Sequence, residues 1–194
     1  MVENPNTTNL SNFFYELGQL KRVKRSGWWL INIKDPESIA EHSHRASMIA
    51  YVLAKLESVN PERTALLVLF HDIHEARLND LHKVGQRYID FKTAETAAHK
   101  AQVEPLGAIG KDILNMHEEL KNQKTNESIV ARDADLLECL TQAREYKKSG
   151  YIDAQNWIDN IKTLLVTESA KKLAKELENT DPNDWWRGLK KSER

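Results

Sequence analysis

Apolar residues recur at helical spacing along almost the whole chain, and no stretch alternates as a half-buried strand would. Leu10, Phe13, Phe14, Leu17 and Leu20 form a first stripe, which ends in the basic run Lys21, Arg22, Lys24 and Arg25. A connector follows from Ser26 to Glu37, holding Gly27, Trp28, Trp29 and Pro36. Ser38 and Glu41 stand in the capping-box relation, so a second helix starts there. Its stripe is Ile39, His42, Ala46, Ile49, Ala50 and Leu53, which places His42 on the buried face. Asn60, Pro61 and Glu62 open a third helix that runs through Ala65, Leu66, Leu69 and Phe70 into His71-Asp72.

The segment from Asp80 to Asp90 is polar and is read as irregular. Shorter helices are expected at Ala94 to Val103 and Leu106 to Leu120, parted near Pro105, then a longer one at Glu127 to Lys147 that stops near Gly150. A last long helix, Ala154 to Leu177, carries Ile158, Ile161, Leu165 and Leu173 on one side, and Asp181-Pro182 ends it before the tail residues Trp185-Trp186. These patterns predict an all-α helical bundle with no strand. One domain is expected over 1–194, with a core over about 10–150 and a C-terminal helix and tail over 151–194.

Composition narrows the class. At 194 residues the chain can bury a continuous core. A formal net charge of -1 gives no global basic field, so nucleic acid is not an expected partner. One cysteine, Cys139, excludes an internal disulfide framework and fits a reducing compartment. No apolar run reaches membrane-spanning length, and the polar stretch from Val2 to Asn9 lacks a signal-peptide core. A soluble cytoplasmic protein is the expectation.

Against this background His42, the doublet His71-Asp72, and Asp135 stand out as ligand-type groups in three segments read as helical. A charged doublet in apolar surroundings is costly unless something compensates it. Two imidazoles and two carboxylates suit Mn²⁺, Fe²⁺, Co²⁺, Ni²⁺ or Zn²⁺, and Mg²⁺ is also admitted. One divalent ion is expected, with open positions for water and a substrate oxygen. On a helix His71 and Asp72 would diverge by about 100°, so the ion would lie over the edge between them. Glu75 projects over that same edge one turn on, placed to orient or deprotonate a water at the ion. Each residue alone has a bland reading: His42 as a hydrogen-bonded core histidine, and Asp135, like its neighbour Asp133, as a solvated carboxylate. The set together favours a metal site. His74 is read as a surface residue or one behind the ligands, and His82, His99 and His117 form no pattern. Arg25 and Trp28 form a second candidate element, since arginine grips phosphate and an indole face can cover a sugar or base. The alternative is a helix-terminal cation cluster beside core tryptophans.

The order His42, His71-Asp72, Asp135 resembles the HD-domain superfamily of metal-dependent phosphohydrolases. The segments Leu20-Lys21-Arg22-Val23, Arg25-Ser26-Gly27-Trp28, Pro36-Glu37-Ser38, Glu41-His42-Ser43, His71-Asp72-Ile73-His74-Glu75 and Asn79-Asp80 resemble, in order, its 5′-deoxynucleotidase branch. The resemblance covers about Leu10 to Gly150. It implies an HD fold and hydrolysis of deoxynucleoside 5′-monophosphates to nucleoside and phosphate. It also implies metal ligands at His42, His71, Asp72 and Asp135, an acidic catalytic residue at Glu75, and a second active-site aspartate at Asp80. The phosphate-contacting arginine and its tryptophan fall on Arg25 and Trp28, with Ser26-Gly27 between them where bacterial members have the two adjacent. After Asp80 the chain departs from the pattern, with His82, Lys83 and Gly85 where relatives often carry proline.

The expected reaction is therefore hydrolysis of a nucleoside 5′-monophosphate. The alternatives are hydrolysis of another phosphoester (a cyclic nucleotide, an alarmone or a nucleoside triphosphate) and metal-stabilised nucleotide binding without turnover. Trp157 and Trp185-Trp186 exceed what the metal core needs, which leads to the expectation of a homodimer. The opposing reading folds these tryptophans back onto their own bundle.

Overall fold

The structure is a computed structural model that describes residues 6–189. Positions 1–5, which include part of the polar stretch read from Val2, and 190–194, the end of the expected domain, lie outside the described residues. Among the described residues all regular structure is helical, apart from one isolated antiparallel bridge between Lys24 and Ser38. The helices are α1 (Thr7–Leu17), α2 (Ile39–Leu56), α3 (Pro61–Leu69), α4 (Glu75–Leu78), α5 (Phe91–Val103), α6 (Ala108–Asn122), α7 (Asn126–Lys148), α8 (Gln155–Leu164) and α9 (Glu168–Asn179).

The centre of the bundle is α7 packed against α2 and α3. A helix buried nearly all round must be apolar or small on most faces. In α7, Val130, Ala131, Ala134, Leu136, Leu137, Leu140 and Ala143 are buried, and so are Asp133, Asp135 and Glu138. Opposite, α2 contributes Ala46, Ala50, Leu53 and Ala54, none of them exposed to solvent. Its start is the expected capping box: the Ser38 side chain accepts from Glu41 N at 3.2 Å, and Glu41 accepts from Ser38 N at 2.6 Å. Asn60 caps α3 in the same manner, accepting from Arg63 N, with Pro61 at its first turn.

Four expectations about the elements are corrected. In α1, Phe13 is buried but Phe14 is 65% exposed, so the stripe is narrower than the spacing implied. In α3 the buried face is Thr64, Leu67 and Val68, while Leu66 and Leu69 stay exposed; two apolar faces were available, and contact with α2 selects one. The helix also ends at Leu69, so His71-Asp72 sits in a turn between α3 and α4 rather than within a helix. The expected long C-terminal helix is two. The Asp133 carboxylate of α7 accepts from Val166 N and Thr167 N, and the Thr167 side chain in turn caps α9. A buried carboxylate that takes up free amide donors thus ends one helix and starts the next.

Between α5 and α6 the chain turns sharply through a short 3-10 segment, Glu104–Leu106. A Cβ on Gly110 would lie 1.8 Å from the carbonyl oxygen of Val103, so this corner closes only around a glycine.

Candidate metal centre

The site is built on the inward faces of α2 and α7 and on the turn after α3. His42 lies one turn into α2 and has no solvent exposure. Asp135 lies on α7, and the break at Phe70 swings both His71 and Asp72 toward these two. His42 Nε2 is 3.1 Å from Asp135 Oδ1 and 4.0 Å from Asp72 Oδ2. His71 Nε2 is 3.0 Å from Asp72 Oδ2 and 3.7 Å from Asp135 Oδ1. His42, His71 and Asp135 thus bring three ligand-type atoms within 4.8 Å of one another, and Asp72 Oδ2 borders them beside the two imidazoles. The turn removes the angular problem that two adjacent helical residues would have posed.

The donor set fits a divalent cation. His42 Nε2 is buried without a hydrogen-bond partner although Asp135 Oδ1 is near, an arrangement suited to two atoms that share an ion. Each imidazole is fixed from behind. His71 Nδ1 lies 2.6 Å from the Val68 carbonyl, so it donates there and turns its Nε2 lone pair inward. His42 Nδ1 meets a Glu138 carboxylate oxygen, and Arg45 Nε donates to the other at 2.9 Å. Arg45 is itself held by Glu145 and Gln142. Burial lowers the pKa of both imidazoles, but the carboxylates prevail: Asp135 and Glu138 raise His42, and Asp72 with Asp135 raises His71 well above the ordinary histidine value. Asp72 and Asp135 are held below the usual carboxylate range despite burial, chiefly by the imidazoles. The field at the centre favours positive charge, which a divalent cation held there would supply.

Around this set lie the other residues read from sequence. Glu75 opens α4, and its ligand-type oxygen lies within 4.8 Å of those of Asp72 and His74. Burial, then the charges of Asp72 and Asp80, push the Glu75 carboxyl well above its usual range. Such a group keeps its proton to higher pH than a solvated glutamate does. Arg25 points inward, with Nη1 3.8 Å from Asp72 Oδ2 and Nε 3.8 Å from Glu37 Oε1. Its loop is closed at the base, where Arg25 N donates to Glu37 O at 3.0 Å and Ile39 N to Val23 O at 2.9 Å. Asp80 accepts from Ser26 N, which ties the turn after α4 to the same loop. Asn79 makes that turn at φ 61° and ψ 168°, a backbone region that glycine favours.

Trp28 is not where its expected role requires. It is 1% exposed, stacked on Trp157 with ring centroids 5.2 Å apart, and edge-on to Tyr146. Its Nε1 donates to Glu37 at 3.1 Å. The indole face is used within the core and is not free to cover a nucleotide. Trp29 beside it is half exposed.

Several site residues were missed from the sequence. Glu138 is three positions after Asp135 on the same helix face, so spacing alone offered a signal. Glu37 lies inside a motif already noted, and burial beside Glu138 raises its pKa to about 7. Asp133 is buried at the break between α8 and α9 and is not a solvated carboxylate. His74 is buried, at 2% exposure, and faces His99 and His117. Those two come from different helices and carried no local pattern.

A family model described as HD domain matches residues 17–178. The chain is 35% identical over 143 residues to a protein named 5′-deoxynucleotidase HDDC2 from Danio rerio, covering 72% of this chain and 70% of the relative. It is 27% identical over 186 residues to the protein of the same name from Dictyostelium discoideum, covering 89% and 98%. Among solved structures, a conserved hypothetical protein from Pyrococcus furiosus superposes with a TM-score of 0.73 at 26% identity, over 87% of this chain and 99% of that one.

Proposed function

Because the chain belongs to the HD-domain family, we propose that it acts as a 5′-deoxynucleotidase, hydrolysing deoxynucleoside 5′-monophosphates to nucleoside and phosphate. The family and its relatives make it a metal-dependent phosphohydrolase. The observation that carries the finer reading is the Arg25 guanidinium, 3.8 Å from Asp72 Oδ2, which borders the ligand-type atoms of His42, His71 and Asp135. A phosphate seated there would meet the Arg25 guanidinium as well as any ion those residues hold.

His42, His71, Asp72 and Asp135 would hold one divalent ion, of the Mn²⁺, Fe²⁺, Co²⁺, Ni²⁺ or Zn²⁺ kind, which when bound supplies Lewis acidity toward a phosphoryl oxygen. Arg25 pairs with the substrate's phosphate and offsets the charge that grows in the transition state. Glu75 accepts the proton of the attacking water as the new P–O bond forms. The bond from phosphorus to O5′ breaks, and the same carboxyl returns a proton to that oxygen. Asp80, through Ser26 N, positions the loop that carries Arg25. Trp28 acts by holding Glu37, whose Oε1 lies 3.8 Å from Arg25 Nε.

Product formation from a panel of ribo- and deoxynucleoside monophosphates, cyclic nucleotides and triphosphates, each with several divalent metals, tests this. Turnover of deoxynucleoside 5′-monophosphates in preference to cyclic nucleotides and triphosphates is expected. Phosphate or pyrophosphate from a triphosphate alone, or a monophosphate from a cyclic nucleotide alone, would reassign the substrate, and no product from any would leave nucleotide binding without turnover.

Assembly as a homodimer remains part of this proposal. Trp157 no longer supports it, since it packs on Trp28 of its own chain. In the tail, Trp185 at 75% exposure, Trp186 at 47% and Leu189 at 72% remain outward. Light scattering at rising micromolar concentration decides: a dimer mass is expected, and a persistent monomer would exclude it. Among the described residues no helix is long and apolar enough to cross a membrane.

A further inference from the structure

Beside the HD ligand set, α4, α5 and α6 enclose three histidines that the proposed reaction does not use. His74 precedes α4, His99 lies on α5 and His117 on α6; their exposures are 2%, 0% and 5%. His99 and His117 stack with ring centroids 4.0 Å apart, and His74 lies 6.0 Å from each. One ring nitrogen from each of the three lies within 4.8 Å of the other two. We propose that His74, His99 and His117 form a second metal site, separate from the HD set, that takes a four-coordinate first-row cation of the Zn²⁺ or Co²⁺ kind.

The strongest support is what these rings lack. Nδ1 of His74, both nitrogens of His99 and Nε2 of His117 are buried with no hydrogen-bond partner among the described residues. A neutral imidazole always carries one N–H and one lone pair, and buried polar atoms in folded proteins are nearly always paired. Three core histidines serving only as packing would leave several such atoms unsatisfied at one spot. A shared ion would take a lone pair from each ring. Zinc–nitrogen bonds of about 2.0–2.1 Å imply ligand separations of about 3.4 Å in a tetrahedron, so modest side-chain rotation closes the observed group.

A fourth ligand is at hand. Glu95 stands one turn before His99 on α5, and its Oε1 is 3.7 Å from His117 Nε2. Three imidazoles and a carboxylate make a closed tetrahedral set of borderline donors, with no thiolate to select a softer ion. The scaffold behind the cluster is rigid. Gly110 lets α6 close against the end of α5, and Gln102 Nε2 on α5 donates to the Ile73 carbonyl at 3.1 Å, next to His74. The site shares no ligand with His42, His71, Asp72 and Asp135, so the inference stands whether or not the nucleotidase reading does.

The test is metal stoichiometry on the full chain, stripped by chelator, reloaded with Co²⁺ or Zn²⁺ and desalted. The wild-type protein should retain two ions per chain. The Asp72→Ala/Asp135→Ala protein should retain one, and with Co²⁺ it should show the intense visible absorption of a four-coordinate ion. The His99→Gln/His117→Gln protein should also retain one, without that absorption, and its remaining ion should be lost on adding Asp72→Ala. Circular dichroism and a thermal melt confirm that each variant is folded. The Asp72→Ala/Asp135→Ala protein leaves all three histidines intact, so it decides the matter even if the histidine variant unfolds. An Asp72→Ala/Asp135→Ala protein that binds no metal, or a histidine variant that binds as much as wild type, overturns the proposal.

Discussion

His42 and Glu138, 96 positions apart, meet in the interior between α2 and α7, where the imidazole Nδ1 faces a carboxylate oxygen and neither side chain reaches solvent. Arg45 holds that carboxylate from its other oxygen, so the direction of His42 Nε2 is set before any ion arrives. Replacing the partner behind a metal-bound histidine costs about 10–100-fold in metal affinity in comparable sites. Glu138→Gln should therefore weaken metal binding by about that factor while the fold persists, as read by competition with a chelating dye. Unchanged affinity would show that Glu138 serves Arg45 and the core, not His42.

Asp72→Ala and Asp135→Ala should each abolish phosphate release and lose the ion that the HD set holds. Glu75→Ala should keep that ion and lose about 10²–10⁴ in kcat, the usual worth of a general acid–base group. Metal analysis beside kinetics separates the two outcomes. Equal loss of metal from the Glu75 variant would make it a ligand.

Trp28→Ala should be among the most damaging single changes. Truncating a fully buried aromatic typically costs about 3–5 kcal/mol. Here it also removes the bond to Glu37 and the stacking on Trp157. Trp28→Phe should keep much of the packing and lose the hydrogen bond alone. Denaturant midpoints for the pair check this ordering, and equal midpoints would refute it.

Burial pushes His99 down to about 3 and His74 down to about 4. Unfolded, both titrate near the ordinary histidine value, so below it the unfolded chain binds more protons than the folded one. The stability tied to these neutral rings is fully present above about pH 6.5 and falls as pH drops toward their folded values, by about 1.4 kcal/mol per pH unit for each histidine. Chelator-treated protein should thus melt at steadily lower temperature between pH 6.5 and pH 4. His99→Gln should flatten that slope; an identical slope in the variant would refute the assignment.

The elements themselves were legible because their signals are local. Ser38 with Glu41, Asn60 with Pro61, and the spacing of Ile39, Ala46, Ala50 and Leu53 act within a few residues along the chain, and the helices begin and bury as they dictate. The gathering of His42, His71, Asp72 and Asp135 was legible too, since His42 falls on that buried stripe and His71-Asp72 is out of place in an apolar run. The sequence by itself determined an all-α chain with these four groups turned toward a common interior. Tertiary structure decided what depends on distant partners. The α3 helix stops at Leu69 and turns His71 and Asp72 together; Asp133 splits the C-terminal helix by meeting Val166 and Thr167; Trp28 is taken into the core by Trp157 and Tyr146. His74, His99 and His117 become one cluster only when α4, α5 and α6 close around them. Periodicity reports which face of a helix turns inward, but the group that face meets is chosen by packing between segments far apart in the chain.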